Sequence, residues 1–314
     1  MKHFQKEKKY GTIEVNNLLD TKSYFGYEKF TYERPFDMSK HSSIGCGGCA
    51  RIAFYPSSLQ EMVDLLSKFR KDSQQFLVVG NMTNVLPPDE GIEKAVVCTK
   101  KFSGAQADSQ RSTNVFVEAG MASGAFLRFC CDTRKSGAEF LEGIPCTIGG
   151  ALYMNAGVNG RYIAEIVDSV TVWRDGKVCI LSNAECEYAY KNSVFMHNGD
   201  VILGATLRLR TTDIQTIDDE IKKYRDRRAH LPKGKSMGCV FKNPIGYSAG
   251  ELIEKAGLKG MRIGGARVSD IHANFIINDG NASAKEIKNL ITFIKNTVQA
   301  QYKIALEEEI RYLT

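Results

Sequence analysis

The chain has 314 residues, 43% of them hydrophobic and 25% charged, a composition that supports a large core and excludes collagen-like and disordered classes. The formal charge of +6 comes from dispersed Lys and Arg, so no nucleic-acid partner is expected. The longest apolar runs, such as 201–207, are far shorter than the roughly 20 residues of a membrane span, and no signal-peptide core follows the basic start, so we expect a cytoplasmic protein without membrane association.

Nine cysteines are present, and their odd number and scattered spacing match no disulfide framework. We therefore expect reduced thiols. Cys46 and Cys49 form a CxxC pair that could begin a zinc or redox site, but no second pair completes a tetrahedral set. The simpler interpretation is two small buried thiols and no metal.

The first 40 residues lack clear periodicity and are interpreted as an N-terminal extension that packs on the body. Ser58 followed by Glu61 is a capping-box pattern, and apolar residues at helical spacing predict a helix over 58–70. Residues 76–84 then predict a short buried strand that leads into a loop of small and amide residues.

Farther along, residues 115–117 predict a strand, 125–131 a helix, and 169–178 a hairpin closed by an Asp-Gly turn. The intervening segment 143–157 is too glycine-rich for a regular element and too apolar for an exposed linker. Its backbone is therefore expected to approach a ligand closely.

After residue 211 the composition turns acidic and then basic, which predicts a helical bridge into another lobe. The last third predicts a helix over 249–256, a strand over 273–277 and a helix capped by Ser283. These elements predict a compact α+β lobe.

Two segments have the composition of phosphate-binding loops. The loop over 80–84 offers backbone N–H groups and small side chains that suit a pyrophosphate, although an ordinary tight turn would use the same residues. The segment 143–157 supplies a second glycine-rich approach, which favours an extended cofactor with diphosphate and ring contacts. Neither segment has the GxGxxG fingerprint after a first strand, so a Rossmann nicotinamide fold is disfavoured.

A series of glycine-rich and polar motifs runs along the chain: SIGCGG at 43–48, GNMTN at 80–84, GIPCTIGGA at 143–151, MNAG at 154–157, GCVFKNP at 238–244, SAGELI at 248–253, AGLKG at 256–260, HANFI at 272–276 and LEEEIR at 306–311. In order and spacing these motifs resemble those of the UDP-N-acetylenolpyruvoylglucosamine reductases. The resemblance covers about residues 42–314.

The resemblance implies an α+β protein with a vanillyl-alcohol-oxidase-type (PCMH-like) FAD-binding fold in two subdomains and a C-terminal α+β substrate-binding domain. The implied divisions are 1–98 for the N-terminal extension and first subdomain, 99–211 for the second subdomain, and 212–314 for the substrate-binding domain, with a tail that returns to the active site. The chain is similar to the family type that lacks an extra tyrosine loop.

The resemblance also implies a reaction. In the family, hydride passes from NADPH to FAD and then to the enolpyruvyl group of UDP-N-acetylglucosamine, which yields UDP-N-acetylmuramic acid for peptidoglycan. The implied partner is this small nucleotide sugar, and the implied state is a monomer. The reaction needs a cation or acid near the substrate carboxylate and a proton donor beside the other alkene carbon.

Three residues lie at the family's catalytic positions. Cys239 stands where the family has a proton-donating serine, and a thiol of ordinary pKa, about 8.5, can donate a proton readily. Lys191 stands where the family has a carboxylate-binding arginine, so the charge is kept but the two-pronged grip is lost. Glu309 matches the family's C-terminal glutamate. Outside these motifs, each would more simply be a surface charge or a core thiol.

The resemblance places substrate contacts at Tyr190, Lys242 and Asn243, and non-covalent FAD contacts at residues of both glycine-rich segments: Gly80, Asn81, Met82, Thr83, Asn84, Gly143, Cys146, Thr147, Gly149, Gly150, Asn155 and Gly157. Cys146 leaves open a covalent flavin link, against the simpler interpretation of a buried small side chain. Further departures from the family pattern mark a divergent member: Cys49, Met82, Cys146 and Asn159.

Two alternative functions stay open. The departures at Lys191 and Cys239 allow a reductase of the same fold that acts on another enolpyruvyl or unsaturated nucleotide sugar. They also allow a flavin-binding protein without catalysis, against which the retained Glu309 and the Lys242-Asn243-Pro244 motif argue.

Overall fold

The computed structural model describes residues 26–108 and 113–314. The sequence predicts that the first 40 residues pack on the body, and most of them lie outside the described residues. The described α-helices are α1 Met38–His41, α2 Leu59–Lys71, α3 Ser123–Asp132, α4 Ile148–Met154, α5 Ile214–Arg228, α6 Ala249–Lys255 and α7 Ala284–Tyr302. Short 3₁₀ turns cover Thr99–Lys101, Glu139–Leu141, Ile163–Glu165, Ala184–Cys186 and Val194–Met196.

The described strands are β1 Tyr32–Glu33, β2 Phe36–Asp37, β3 Cys49–Ala50, β4 Ala53–Phe54, β5 Phe76–Val79, β6 Val85–Leu86, β7 Ala95–Cys98, β8 Ala105–Ala107, β9 Asn114–Glu118, β10 Lys135–Ser136, β11 Gly157–Val158, β12 Arg161–Tyr162, β13 Val167–Arg174, β14 Lys177–Ser182, β15 Val201–Arg208, β16 Arg210–Thr211, β17 Ser236–Cys239, β18 Arg262–Ile263, β19 Ala266–Val268, β20 Phe275–Asn278 and β21 Arg311–Tyr312. The larger sheets run β1-β4-β7-β5, β14-β13-β15-β9-β8 and β17-β20-β19-β18. The first mixes parallel and antiparallel pairs, and the other two are antiparallel. This architecture confirms the predicted α+β class.

The first sheet includes the described end of the N-terminal extension. β1 pairs with β4, and Tyr27 and Phe30 are buried in the core beneath α2. This part of the extension therefore packs on the body, as predicted.

Helix α2 confirms the helix predicted over 58–70, but not its capping box. Ser58 caps the helix, and its Oγ accepts a hydrogen bond from the Glu61 N–H at 3.2 Å. The Glu61 carboxylate instead accepts from the N–H and the hydroxyl of Ser57, both at 2.8 Å. The reciprocal bond to the Ser58 N–H is a wrong prediction, because Ser57 offers two donors one residue earlier.

Helix α4 contradicts the prediction that 143–157 holds no regular element. Thr147 caps this helix, accepting from the Gly150 N–H at 3.2 Å. Gly149 lets the helix touch another chain segment, because a Cβ there would lie 2.9 Å from the Cβ of Ala119 and 3.0 Å from its carbonyl oxygen. The glycine lowers helix propensity, and the tertiary contact with Ala119 decides the outcome.

The other predicted elements are confirmed with small shifts. Strand β9 extends one residue beyond the predicted 115–117 at each end, and helix α3 begins two residues before and ends one residue after the predicted 125–131. Strands β13 and β14 form the predicted hairpin. Its turn residues Asp175 and Gly176 both have positive φ, +50° and +87°, as a two-residue hairpin turn requires.

The C-terminal elements also follow the predictions. Helix α6 ends one residue before the predicted 256, β20 starts two residues after the predicted 273, and Ser283 caps α7 with a complete capping box. Helix α5 lies where a helical bridge is predicted, and its Ile217 and Ile221 are buried in the core beside the five-stranded sheet.

All nine cysteines are free thiols. Cys46 is buried, but Cys49 is exposed, so the prediction of two buried thiols is wrong for Cys49. Cys49 and Ala50 alternate sides along the short strand β3, and Ala50 takes the buried side. In residues 26–108 and 113–314, no group of three His, Cys, Asp or Glu side chains could hold a metal ion, and no helix is long and apolar enough to cross a bilayer.

The C-terminal lobe, defined as β17–β20 with α6 and α7, is joined by specific hydrogen bonds to the loops that follow α1 and β6. The Asp89 carboxylate accepts from the N–H groups of Ala284 at 2.7 Å and Lys285 at 2.9 Å, at the start of α7. The Asn278 side-chain amide donates to the Ile44 carbonyl at 2.9 Å. These bonds set the position of the C-terminal lobe against those two loops.

Asp89→Ala is expected to destabilise the protein by about 0.5–2 kcal/mol, because two N–H groups at the start of α7 lose their acceptor. Urea unfolding measures the change. Glu90→Ala, which removes the adjacent exposed carboxylate, serves as the control and should change the free energy of unfolding by less than about 0.5 kcal/mol. Equal losses in the two variants would contradict the capping role.

Candidate active site

Cys239 lies at the end of β17, where the strand is irregular. The pairing of β17 with β20 shifts register between Ser236 and Cys239, and Gly238 has φ +77°. Such a bulge re-aims the side chains that follow it. Met237 is buried in the core of the lobe, whereas Cys239 is partly exposed.

Glu309 lies in the C-terminal tail, defined as residues 303–314. Its N–H donates to the Val240 carbonyl at 2.8 Å, so the tail runs beside the segment that follows Cys239. The Asn84 side-chain amide donates to the Glu309 carbonyl at 3.1 Å, and the Arg311 N–H donates to the Asn84 carbonyl at 2.9 Å. Beyond it, β21 pairs in parallel with β6. The tail thus joins the C-terminal lobe to the end of the 80–84 loop.

Lys191 reaches the same place from the loop after β14. Its φ is +52°, and the Asn155 side-chain amide holds the loop by donating to the Ala189 carbonyl at 2.8 Å. Lys191 Nζ lies 2.8 Å from Glu309 Oε1, and the two side chains are only 16% and 14% exposed. Water screens such a pair less than a surface pair.

The charges around Cys239 set its acidity. Burial, followed by the nearby Glu309 carboxylate, raises the pKa of the Cys239 thiol to about 11, although the cations of Lys191 and Arg228 act in the opposite direction. The expectation of an ordinary thiol pKa is therefore wrong, because the thiol is largely removed from solvent and has a neighbouring anion. At neutral pH the thiol keeps its proton.

Arg228, at the end of α5, belongs to this group, although no sequence motif marks it. Burial lowers the pKa of its guanidinium, which lies near the thiols of Cys239 and Cys146. Its Nε is buried and has no hydrogen-bond partner among the described residues. A Cβ on Gly143 would lie 2.9 Å from that Nε. The basic run over 222–228 contains Arg228, but nothing in its spacing marks which arginine is buried.

The two glycine-rich segments are in direct contact. Asn81 Nδ2 and Thr83 Oγ1 donate to the Pro145 carbonyl at 3.2 and 3.0 Å. Within the described residues, no acceptor pairs with the backbone N–H groups of Asn81, Met82 and Thr83. Unpaired N–H groups in a loop of this kind suit phosphate oxygens, so this loop fits the diphosphate of FAD.

Met82 is one of the departures from the family pattern, and the burial of its side chain explains how methionine is accommodated there. Its φ is +52°, a conformation that favours glycine, yet its side chain is 4% exposed and packs in the core of the first sheet. Burial of an apolar side chain, about 1.5–3 kcal/mol, offsets the strain of about 1–3 kcal/mol.

The other residues predicted to contact flavin shape the site through protein contacts. The Gly149 N–H donates to the Ala119 carbonyl at 2.7 Å, and that of Gly150 to Thr147. The Asn155 amide also accepts from the Ala164 N–H at 3.3 Å. Gly157 has no room for a side chain, because a Cβ would lie 2.1 Å from the Arg161 carbonyl oxygen.

Gly80→Ala is expected to weaken flavin binding, because a Cβ at 80 would lie 2.3 Å from Thr147 Oγ1 and push the two segments apart. Overpacking costs about 1–3 kcal/mol, so the FAD dissociation constant should rise about tenfold or more. The ratio of flavin to protein absorbance after dialysis measures this change. Gly124→Ala, in α3 with its nearest neighbour 4.0 Å away, should keep the flavin, and an equal flavin loss there would contradict the argument.

The lining of a cleft of about 230 Å³ includes the three residues predicted to bind substrate: Tyr190, Lys242 and Asn243. The Asn243 N–H donates to the Tyr190 hydroxyl at 3.2 Å. Lys242 Nζ lies 2.6 Å from Glu307 Oε1. Tyr190 directly precedes Lys191, and Glu307 lies two residues before Glu309, so the chain segments that line the cleft also carry the ion pair.

Comparison with known proteins places these features in a family. The FAD binding domain model matches residues 50–182, and the model for the C-terminal domain of UDP-N-acetylenolpyruvoylglucosamine reductase matches residues 229–313. The chain is 35% identical over 277 residues to a UDP-N-acetylenolpyruvoylglucosamine reductase of Caldanaerobacter subterraneus subsp. tengcongensis, covering 87% of this chain and 91% of that protein. It is 35% identical over 304 residues to that of Clostridium novyi, covering 96% of each. The crystal structure of the Thermus caldophilus reductase aligns with a TM-score of 0.78 and 30% identity, over 91% of this chain and all of that one.

Proposed function

This chain belongs to the UDP-N-acetylenolpyruvoylglucosamine reductase family, and we propose that it reduces UDP-N-acetylglucosamine enolpyruvate to UDP-N-acetylmuramate, with NADPH as hydride donor and Cys239, Lys191 and Glu309 as catalytic residues. The family resemblance drawn from the motifs is confirmed. The predicted vanillyl-alcohol-oxidase-type fold with a C-terminal α+β domain is confirmed as well. The protein is an FAD-dependent oxidoreductase, and its substrate is a small nucleotide sugar.

The observation that carries the catalytic assignment is the Lys191–Glu309 ion pair beside the Cys239 thiol. When bound, FAD supplies the hydride that reduces the alkene. Hydride addition pushes negative charge toward the substrate carboxylate, and the ammonium of Lys191 is the cation that stabilises it. Cys239, protonated at neutral pH, donates the proton to the carbon beside that carboxylate.

Glu309 and Arg228 complete the charge balance. The Glu309 carboxylate orients the Lys191 ammonium and, with burial, keeps the Cys239 proton in place. Arg228 supplies a second cation on the Cys146 side of the group. Its buried Nε, which has no partner among the described residues, would be a hydrogen-bond donor available to hold the flavin.

We further propose that FAD is bound without a covalent link. Burial raises the pKa of the Cys146 thiol to about 11. A flavin–cysteine bond needs the thiolate as the nucleophile. At neutral pH that thiolate is scarce, which favours the non-covalent cofactor.

The proposal extends to the domain divisions, the oligomeric state and the cellular location of the protein. We propose divisions at 1–98, 99–211 and 212–314, each of the last two containing one of the antiparallel sheets. We also propose a monomer that acts in the cytoplasm. Sedimentation of the purified holoenzyme and fractionation of cells test these two points.

A two-step stopped-flow assay tests the function. The flavin absorbance of the oxidised enzyme should bleach on mixing with NADPH and return on mixing with UDP-N-acetylglucosamine enolpyruvate. Bleaching without return would favour a reductase for another enolpyruvyl or unsaturated nucleotide sugar. A flavin that neither bleaches nor returns would favour a binding protein without catalysis, and a colourless protein that does not take up FAD would refute the proposal.

A further inference from the structure

We propose that Glu307 acts as an internal competitor for the diphosphate position of the substrate cleft, so that it tunes how tightly the cleft binds phosphorylated ligands. The inference rests on the proposed function, because it takes Lys242 to be the cation that meets the diphosphate of the nucleotide sugar.

The contact that suggests this role joins the cleft's own cation to a carboxylate. Lys242 Nζ lies 2.6 Å from Glu307 Oε1, and both residues line the cleft with Tyr190 and Asn243. The Lys242 side chain is 20% exposed, whereas that of Glu307 is 73% exposed. The Lys242 ammonium thus lies in the wall of the cleft, and the Glu307 carboxylate contacts it from the solvent side. A phosphate that approaches Lys242 from the solvent side competes with this carboxylate for the ammonium.

Displacement requires little movement. The backbone at both residues is fixed, because the Lys242 N–H donates to the Glu307 carbonyl at 2.8 Å and Phe241 forms an antiparallel bridge with Glu308. Only the Glu307 side chain has to rotate, and it enters water without losing other bonds. Ion pairs in which one partner is well exposed, as Glu307 is, are worth about 1 kcal/mol or less. The carboxylate therefore yields to a stronger anion rather than closing the cleft.

The negative charge of a ligand determines whether it displaces Glu307 from Lys242. A nucleoside diphosphate carries more negative charge than one carboxylate and meets Lys242 with several oxygens, so it displaces Glu307. A ligand with one weak anionic group gains less from the exchange. Glu307 thereby lowers the affinity for every phosphorylated ligand and raises the relative advantage of the diphosphate.

The adjacent Glu308 provides a matched control. Its two carboxylate oxygens face away from Lys242, one toward Lys295 Nζ at 2.6 Å and the other accepting from the Tyr312 hydroxyl at 2.6 Å. Glu308→Gln therefore removes the same charge one residue along the same tail segment, without touching the pair in the cleft.

Isothermal titration of the oxidised holoenzyme with UDP tests the proposal without requiring turnover. Glu307→Gln should bind UDP about two- to fivefold more tightly than wild type at low ionic strength. The difference should shrink at high salt, where exposed charges are screened. Glu308→Gln should bind UDP as wild type does. No gain in Glu307→Gln, or the same gain in Glu308→Gln, would overturn the proposal.

A double-mutant comparison separates competition for Lys242 from general repulsion. In a Lys242→Gln background, where UDP binding is weakened, adding Glu307→Gln should give no further change. A persistent gain would mean that Glu307 repels the ligand directly, and the competition would be refuted. If wild type fails to bind UDP although it carries FAD, the substrate assignment itself fails, which is a different result from equal UDP binding in wild type and Glu307→Gln.

Discussion

Replacing Cys239 by alanine is expected to slow the return of flavin absorbance with UDP-N-acetylglucosamine enolpyruvate by about 10²- to 10⁴-fold, because the carbanion loses its proton donor. Bleaching by NADPH should stay near the wild-type rate, since no proton from Cys239 is needed for that step. Stopped-flow absorbance measures both rates in one sample. Equal rates of return in Cys239→Ala and wild type would remove Cys239 from the mechanism.

Cys239→Ser is the matched control, because a hydroxyl can also donate a proton and nearly preserves the volume. It should keep measurable turnover. The pH profiles should differ: wild-type activity falls as the pH rises through about 11, where the thiol loses its proton. A serine hydroxyl is a weaker acid than a thiol, so this alkaline limb should disappear in Cys239→Ser. The same limb in both variants would assign it to another group.

Replacing Lys191 by methionine is expected to lower kcat about 10²- to 10³-fold, since the cation that stabilises the developing charge is lost. The change also leaves the Glu309 carboxylate, 14% exposed, without its partner at 2.8 Å. Steady-state kinetics measures the effect, and the flavin content should be unchanged.

Lys191→Arg tests whether charge or geometry matters. Arginine keeps the cation and adds a planar, two-pronged grip on a carboxylate, so activity should be retained and KM for the enolpyruvyl substrate should fall. Methionine and arginine variants of equal activity would show that charge at this position contributes nothing to the reaction.

Much of the fold could be predicted because local patterns and the structure agree. Ser58 and Ser283 cap helices where their sequences indicate, and the Asp175-Gly176 turn closes its hairpin. Helix α4 could not be predicted, because glycine disfavours a helix locally and the contact of Gly149 with Ala119 joins residues 30 positions apart. Contacts of that kind are absent from any local pattern.

The residues of the candidate site also comprise some that the sequence could predict and some that it could not. Motifs single out Cys239, Lys191 and Glu309, and the fold brings their side chains together, although their roles stay predictions. Arg228 and Glu307 could not be found, because the burial of one and the partner of the other depend on distant chain segments. The acidity of Cys239 likewise depends on neighbours that no spacing reveals.

The tail that carries Glu309 bonds to both Asn84 and Val240, so the position of its carboxylate depends on two separate parts of the chain. Lys191, Cys239 and Glu309 reach the reaction centre from separate parts of the chain, so their spacing depends on how the lobes are seated. A displacement of about 1 Å can cost a hundredfold in rate. Loosening the tail would therefore slow the reaction even if every catalytic side chain were intact.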